Sequence, residues 1–169
     1  VNQNAVDVTS TVLAAIREAE DAHIERGREP GVRVKLDTIG VGWGVVSLLK
    51  TWGNEGKHRS QIIGVNVSER AADPQKFRNI RAELWWNGRL MLQPHNGRQD
   101  VRLDVDRKVV TQLAGPMFKA DSGGRIQIEA KAEMKRRGVS SPDRAEAVLL
   151  ALYEPPRKNV DLVAPIGID

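Results

Sequence analysis

The stretch from Val32 to Gly44 limits the architecture more than any other part of the chain. Val32, Val34 and Leu36 alternate with Arg33 and Lys35, the period of a strand with one apolar face. The alternation ends on Asp37, and Gly40, Gly42 and Gly44 lead into the helical pattern Val45-Val46-Ser47-Leu48-Leu49. A strand, a glycine turn and a helix in that order point to an α/β fold. In open α/β sheets ligands bind beyond the carboxyl ends of the strands, which is where Asp37 stands. The ordinary role of an Asp there is to accept backbone N–H groups as the next helix begins, and both readings stay open on the sequence.

The remaining pattern extends this unit. A helix is expected from Thr11, with Val12, Ile16 and Ala19 on one face, Thr9 or Ser10 as cap, and Gly27 and Pro30 as its stop. The second helix ends near Trp52-Gly53, and 61–67 reads as a second buried strand, parallel to the first because a helix joins them. Asp73-Pro74 opens a long helix over 74–92, whose Trp85-Trp86 pair belongs to the core. Residues 94–97 form a turn cluster, and Asp104 caps a helix over 105–113. Phe118-Lys119-Ala120 and Arg125-Ile126-Gln127-Ile128 flank a turn at 121–124, a late hairpin. A short basic helix over 130–137 closes at Gly138, and a last helix covers 142–153, with Ser141 as cap and Pro142 as first helical residue. The expectation is one α/β domain over 1–154, a mixed central sheet flanked by helices, followed by a tail at 155–169.

Composition narrows the chemistry. With 169 residues, 40% apolar and 28% charged, the chain can build a single core. No apolar run reaches membrane-spanning length and no signal peptide opens the chain. Starting on Val1, it reads as a processed chain or a piece of a longer one. The absence of cysteine excludes disulfides and thiolate metal sites. A net charge of +4 mildly favours a polyanionic partner. The glycine stretch lacks the lysine of a phosphate loop, and no nucleophile elbow occurs. His23, His58 and His95 lie apart in polar surroundings, as exposed side chains do.

Carboxylates are what remain. Asp143 falls in the first turn of the last helix, and Glu146, three residues on, shares its face. A plain helix-terminal role for Asp143 would contribute about 0.3–1 kcal/mol. Hard divalent cations, however, take oxygen ligands, so Asp37 and Asp143 brought from separate elements to one sheet rim would cradle Mg²⁺ or Mn²⁺. Arg125, Lys131, Lys135, Arg136, Arg137 and Arg144 surround Asp143 in sequence, either as a solvated face or as contacts for nucleic-acid phosphates.

Four motifs, Lys35 to Gly42, Asn79 to Trp86, Ile128 to Gly138 and Ser141 to Ala147, occur in that order. Together they resemble the C-terminal nuclease domain of tailed-bacteriophage terminase large subunits, over about 32–153. The resemblance implies an RNase H-like fold and a metal-dependent endonuclease that cuts concatemeric double-stranded DNA during packaging. It implies two Mg²⁺ or Mn²⁺ ions held by acidic residues. Asp37 matches the strand-end acid and Asp143 the acid opening the last helix, which makes these two the catalytic candidates. Glu146 stands where the family often has a further metal-binding Asp, and Lys131 matches a lysine ahead of that helix. Lys131, Lys135, Arg136 and Arg144 are the candidate DNA contacts. The implied partners are double-stranded DNA, the terminase ATPase domain, the small terminase subunit and the portal, in the host cell cytoplasm.

The chain departs from the family at its start. The family's domain opens with a strand carrying its first metal-binding Asp, and no such strand precedes the Thr11 helix; Asp7 runs straight into helix and does not take that role. The ATPase half is also absent, as in a fragment. Two alternatives follow: a catalytically silent DNA-binding or motor-docking module, and another RNase H-like nuclease such as a junction resolvase. The motifs at Arg81–Trp86 and Ser141–Ala147 argue against the second.

Overall fold

A computed structural model describes residues 4–94 and 101–154. In chain order the elements are α1 (Ala5–Glu25), β1 (Arg33–Asp37), α2 (Gly42–Asn54), β2 (Gln61–Val65), α3 (Ile80–Leu92), α4 (Arg107–Leu113), β3 (Phe118–Ala120), β4 (Ile126–Ile128), α5 (Lys131–Arg136) and α6 (Asp143–Leu152). β1 and β2 pair in parallel, with Arg33 opposite Gln61 and Asp37 opposite Val65. β3 and β4 pair antiparallel. Among the described residues the strands thus form two separate two-stranded sheets, not one mixed sheet. Beyond the hairpin, β4 meets the segment ahead of α3 through a parallel bridge, Phe77 to Ile126, with Arg78 N donating to Ile126 O and Ile126 N to Lys76 O.

Strand alternation divides the core into two sides. Val34 and Leu36 of β1 and Ile62 of β2 pack with Ile16, Val45, Val46 and Leu49 of α1 and α2. Val65 and Ile63, pointing the other way from β2, meet Leu84, Trp85, Ala145, Leu149 and Leu150 of α3 and α6. The α3–α6 crossing is close: a methyl group at Gly88 would lie 2.1 Å from Leu149 Cδ2, so only glycine lets the helices approach this far. Trp85 is buried in this second cluster, as its sequence position suggested.

Several helix starts differ from expectation, each for a local reason. α1 begins at Ala5 because the Asn4 side chain accepts from Asp7 N, while Thr9 turns inward and donates to Ala5 O. The long helix begins at Ile80 and not at Pro74. Asp73 Oδ1 accepts from Gln75 and Lys76 N to close a turn, and Asn79 then caps α3 through Ala82 N. Asp106, not Asp104, caps α4 by accepting from Val109 N. α6 begins at Asp143, and the Ser141 hydroxyl donates to the Asp143 carboxylate instead of capping the helix.

His58 is 5% exposed, contrary to the expectation of a solvated imidazole. Its Nδ1 accepts from Ser60 N at 3.2 Å and its Nε2 reaches Leu49 O at 2.9 Å, so the ring bridges α2 to the loop before β2. His95, the turn at 95–97 and the tail at 155–169 lie outside the described residues.

Candidate functional site

The alternation that buries Val34 and Leu36 turns Lys35 and Asp37 toward α6. Lys35, with only 3% of its side chain exposed, donates to Ala151 O at 2.8 Å and to Glu154 Oε1 at 3.0 Å. β1 is thereby tied to the end of the helix that begins with Asp143. Along the same side of α6, Lys35, Asp37, Arg81, Lys131, Asp143 and Glu146 line one cleft of about 280 Å³ over an apolar floor that includes Leu84 and Leu150. Residues as far apart in the chain as Lys35 and Leu150 meet there.

Asp37 is exposed, and its Oδ1 accepts from Ile39 N at 3.1 Å. This small turn leaves α2 without a side-chain cap, so Asp37 does not serve as the cap of that helix. The turn depends on Gly42, where a Cβ would sit 1.9 Å from Asp37 O. No ion pair engages Asp37 among the described residues.

Asp143 and Glu146 are held differently. The Lys131 ammonium lies between them, 2.8 Å from Asp143 Oδ1 and 2.8 Å from Glu146 Oε2. Asp143 also accepts from Ser141 Oγ at 2.7 Å, and its side chain is 69% exposed. Hydrogen bonds from Lys131 and then Ser141 hold its carboxyl below the ordinary range, against the opposing effect of burial. Burial acts to lower the Lys131 value, but its bonds to Asp143 and Glu146 outweigh this and raise it. Glu146 Oε1 accepts from Arg81 Nε at 2.6 Å and from Trp85 Nε1 at 3.4 Å. Arg81 continues to Glu129 O at 2.8 Å, while its Nη2 is buried with no hydrogen-bond partner.

The donor set of the cleft is carboxylate oxygen, which fits a hard divalent cation. Asp37 keeps one oxygen uncommitted, and Asp143 is open to solvent. Among the described residues no group of three or more acidic or imidazole side chains stands close enough to form a complete metal cage. The unpartnered Arg81 nitrogen fits an anion, and a phosphate oxygen supplies the acceptor it lacks.

The expected basic residues are spread over several surfaces and pairings. Of the DNA-contact candidates, Lys131 lines the cleft. Lys135 is exposed on α5, and Arg136 lines a separate depression beside Met117 and Phe118. Arg144 turns to α4, pairing with Asp106 at 2.8 Å. Arg125 and Arg137 are likewise neutralised, by Asp121 and Glu129. Their charges are met within the fold. The residues that sequence reasoning did not single out are Lys35 and Arg81; Arg81 binds Glu146 across 65 positions, and no local pattern signals such a contact.

The fold is similar to that of solved terminase nuclease domains, as the motif resemblance led one to expect. Its solved counterparts are domains of the large terminase subunit gp2 of bacterial virus Sf6. The nuclease domain itself matches with a TM-score of 0.61 and 22% identity, covering 83% of this chain and 71% of that one. A lysine-to-alanine variant with manganese matches at 0.62 and 21%, covering 85% and 74%. The same variant with calcium matches at 0.62 and 21%, covering 85% and 73%. At these identities the likeness is one of fold. No protein-family model matches the chain, and no curated protein matches it.

Proposed function

We propose that this chain is the endonuclease domain of a viral DNA-packaging terminase, acting on concatemeric double-stranded DNA in the host cell cytoplasm by two-metal phosphodiester hydrolysis. The observation that carries the reading is the meeting of Asp37 and Asp143, from the end of a strand and the start of a distant helix, in one solvent-open cleft. Support comes from the fold shared with a nuclease domain whose structures hold manganese or calcium.

In this reading Asp37 and Asp143 hold the cation, with Glu146 joining once Lys131 lets go of it. Bound Mg²⁺ or Mn²⁺ supplies the Lewis acidity that activates water and offsets charge on the scissile phosphate. Lys131, released from the two carboxylates, turns its ammonium to a phosphate oxygen. Arg81 fixes Glu146 through Nε, and its buried, unpartnered Nη2 would take an oxygen of the same phosphate. Lys135 and Arg136 extend the phosphate track along α5, and the ATPase domain, the small terminase subunit and the portal are the protein partners.

Plasmid nicking with Mn²⁺ tests the assignment. Wild type converts supercoiled plasmid to nicked circles and Asp143→Ala does not; equal nicking by the two rejects it. One feature favours the second reading, a silent DNA-binding or motor-docking module: the Lys131 ammonium already satisfies both acids of α6. A silent module binds DNA equally well with Mn²⁺ or EDTA and shows no Asp37-dependent Mn²⁺ binding by calorimetry.

A further inference from the structure

A second cleft opens on the opposite side of the β1–β2 pair. It encloses about 500 Å³ between Thr38, Trp43, Lys50, Asn66, Glu69 and Arg70, a size typical of small-ligand sites. Strand alternation separates it from the acidic cleft: Asp37 faces α6, whereas Thr38 and Gly64 face α2. Gly64 keeps the floor open, since a Cβ there would meet Thr38 Cγ2 at 2.7 Å and Val46 Cγ1 at 3.4 Å. The Gly42 turn that seats on Asp37 O also delivers the next residue, Trp43, to the rim of this cleft.

Three features of this cleft stand without an internal explanation. The Trp43 indole is 69% exposed and meets no aromatic ring or cation among the described residues. Lys50 and Arg70 have no carboxylate partner there, and Glu69 is the single acid of the lining. The other aromatic surface is built oppositely. Trp86 and Phe118 pack edge to face at 5.3 Å, with Arg89 over both rings and Lys76 over Trp86. Its ring faces are occupied, while that of Trp43 is free.

A bare indole flanked by unpaired cations has the chemistry that binds unpaired nucleotides: bases stack on the ring and phosphates meet the charges. Duplex DNA hides its base faces within the stack and offers phosphates and groove edges, neither of which stacks on an indole. We propose that this cleft is a single-strand subsite, taking an unpaired DNA base on Trp43 and the adjoining phosphates on Lys50 and Arg70. The choice of DNA rests on the nuclease reading; the subsite itself does not require that the acidic cleft cuts. It lies across the β1–β2 pair from the Asp37 carboxylate, so a strand separated near the cut passes over the rim to reach it.

The test is binding of a fluorescent oligothymidylate of about 12 nucleotides, by anisotropy in EDTA, so that cleavage plays no part. Trp43→Ala weakens binding about tenfold, and Trp43→Phe restores most of it. Lys50→Ala with Arg70→Ala shallows the slope of log affinity against log salt by about 1.4. A duplex of equal length binds with no dependence on Trp43. Melting curves verify that these surface variants remain folded. Absence of oligothymidylate binding by wild type, or unchanged affinity in Trp43→Ala, overturns the subsite and leaves the exposed Ile39, Val41 and Trp43 loop to a protein partner. Equal Trp43 dependence for duplex and single strand overturns the unpaired-base assignment. If wild type fails to nick plasmid while Trp43-dependent binding persists, the nuclease reading falls and the subsite stands.

Discussion

Two groups of acidic side chains, one around Glu83 and one around Asp37 and Asp143, are treated in opposite ways. Glu83 is 6% exposed and saturated: it accepts from Ala72 N, Asp73 N and the Tyr153 hydroxyl. Burial, followed by the Glu83 charge, pushes that tyrosine up to about 12, so the hydroxyl stays a donor at any ordinary pH. Glu20 is handled likewise, by Arg59 N and Ser60 Oγ. These buried acids knit loops to helices through short bonds to neighbouring donors. Asp37 and Asp143 are exposed and partly uncommitted, and Asp143 is restrained chiefly by a lysine that solvent or phosphate can draw away. A carboxylate that serves the fold is closed off by fixed backbone donors; one available for chemistry is not.

The largest effect that would sharpen this contrast is expected at Glu83. Glu83→Ala strips acceptors from two backbone amides and a buried hydroxyl, and should cost about 2–4 kcal/mol in urea denaturation. A cost below about 1 kcal/mol would break the distinction. Next is Gly88→Ala, whose new methyl drives into Leu149 and should cost about 1–3 kcal/mol while pushing α6 from β1. Its nicking rate should fall although no cleft residue is touched.

A smaller effect concerns acid. Hydrogen bonds from Arg137 hold Glu129 at about 2, down from the usual 4.5, despite the opposing effect of burial. The unfolded chain therefore takes up that proton first, and the stabilisation present above pH 4.5 is lost as pH falls toward 2. Urea midpoints from pH 6 to pH 2.5 should drop in wild type and drop less in Glu129→Gln. The smallest effect on folding belongs to Asp143→Ala: an exposed pair with Lys131 contributes at most about 1 kcal/mol. The same change removes nicking. If it unfolds the protein as Glu83→Ala does, the two groups of acids are not different in kind.

The sequence was informative where the signal is local. The β1–α2 unit, Asp37 at its break and the glycines behind it are legible because alternation, polarity and turn chemistry coincide within a dozen residues. The starts of α3 and α4 were misplaced because each stretch holds two competent caps, Asp73 and Asn79 or Asp104 and Asp106, and tertiary packing chooses between them. The ion pairs of the basic cluster are not legible because the partners of Arg144 and Arg137 sit 38 and 8 positions away. His58 was misjudged because its polar neighbours in sequence, Arg59 and Ser60, bond inward to Glu20. Arg81 lay inside a motif, but its bond to Glu146 exists only once α3 and α6 cross.

Manganese titration followed by electron paramagnetic resonance addresses the convergence of Asp37 and Asp143 most directly, because it reads the ion itself and not the cut. Wild type should bind Mn²⁺, Asp37→Ala and Asp143→Ala should each bind at least tenfold more weakly, and Lys131→Ala, freed of its competing ammonium, should bind more tightly. Equal affinity in wild type, Asp37→Ala and Asp143→Ala would show that these two acids do not share a cation.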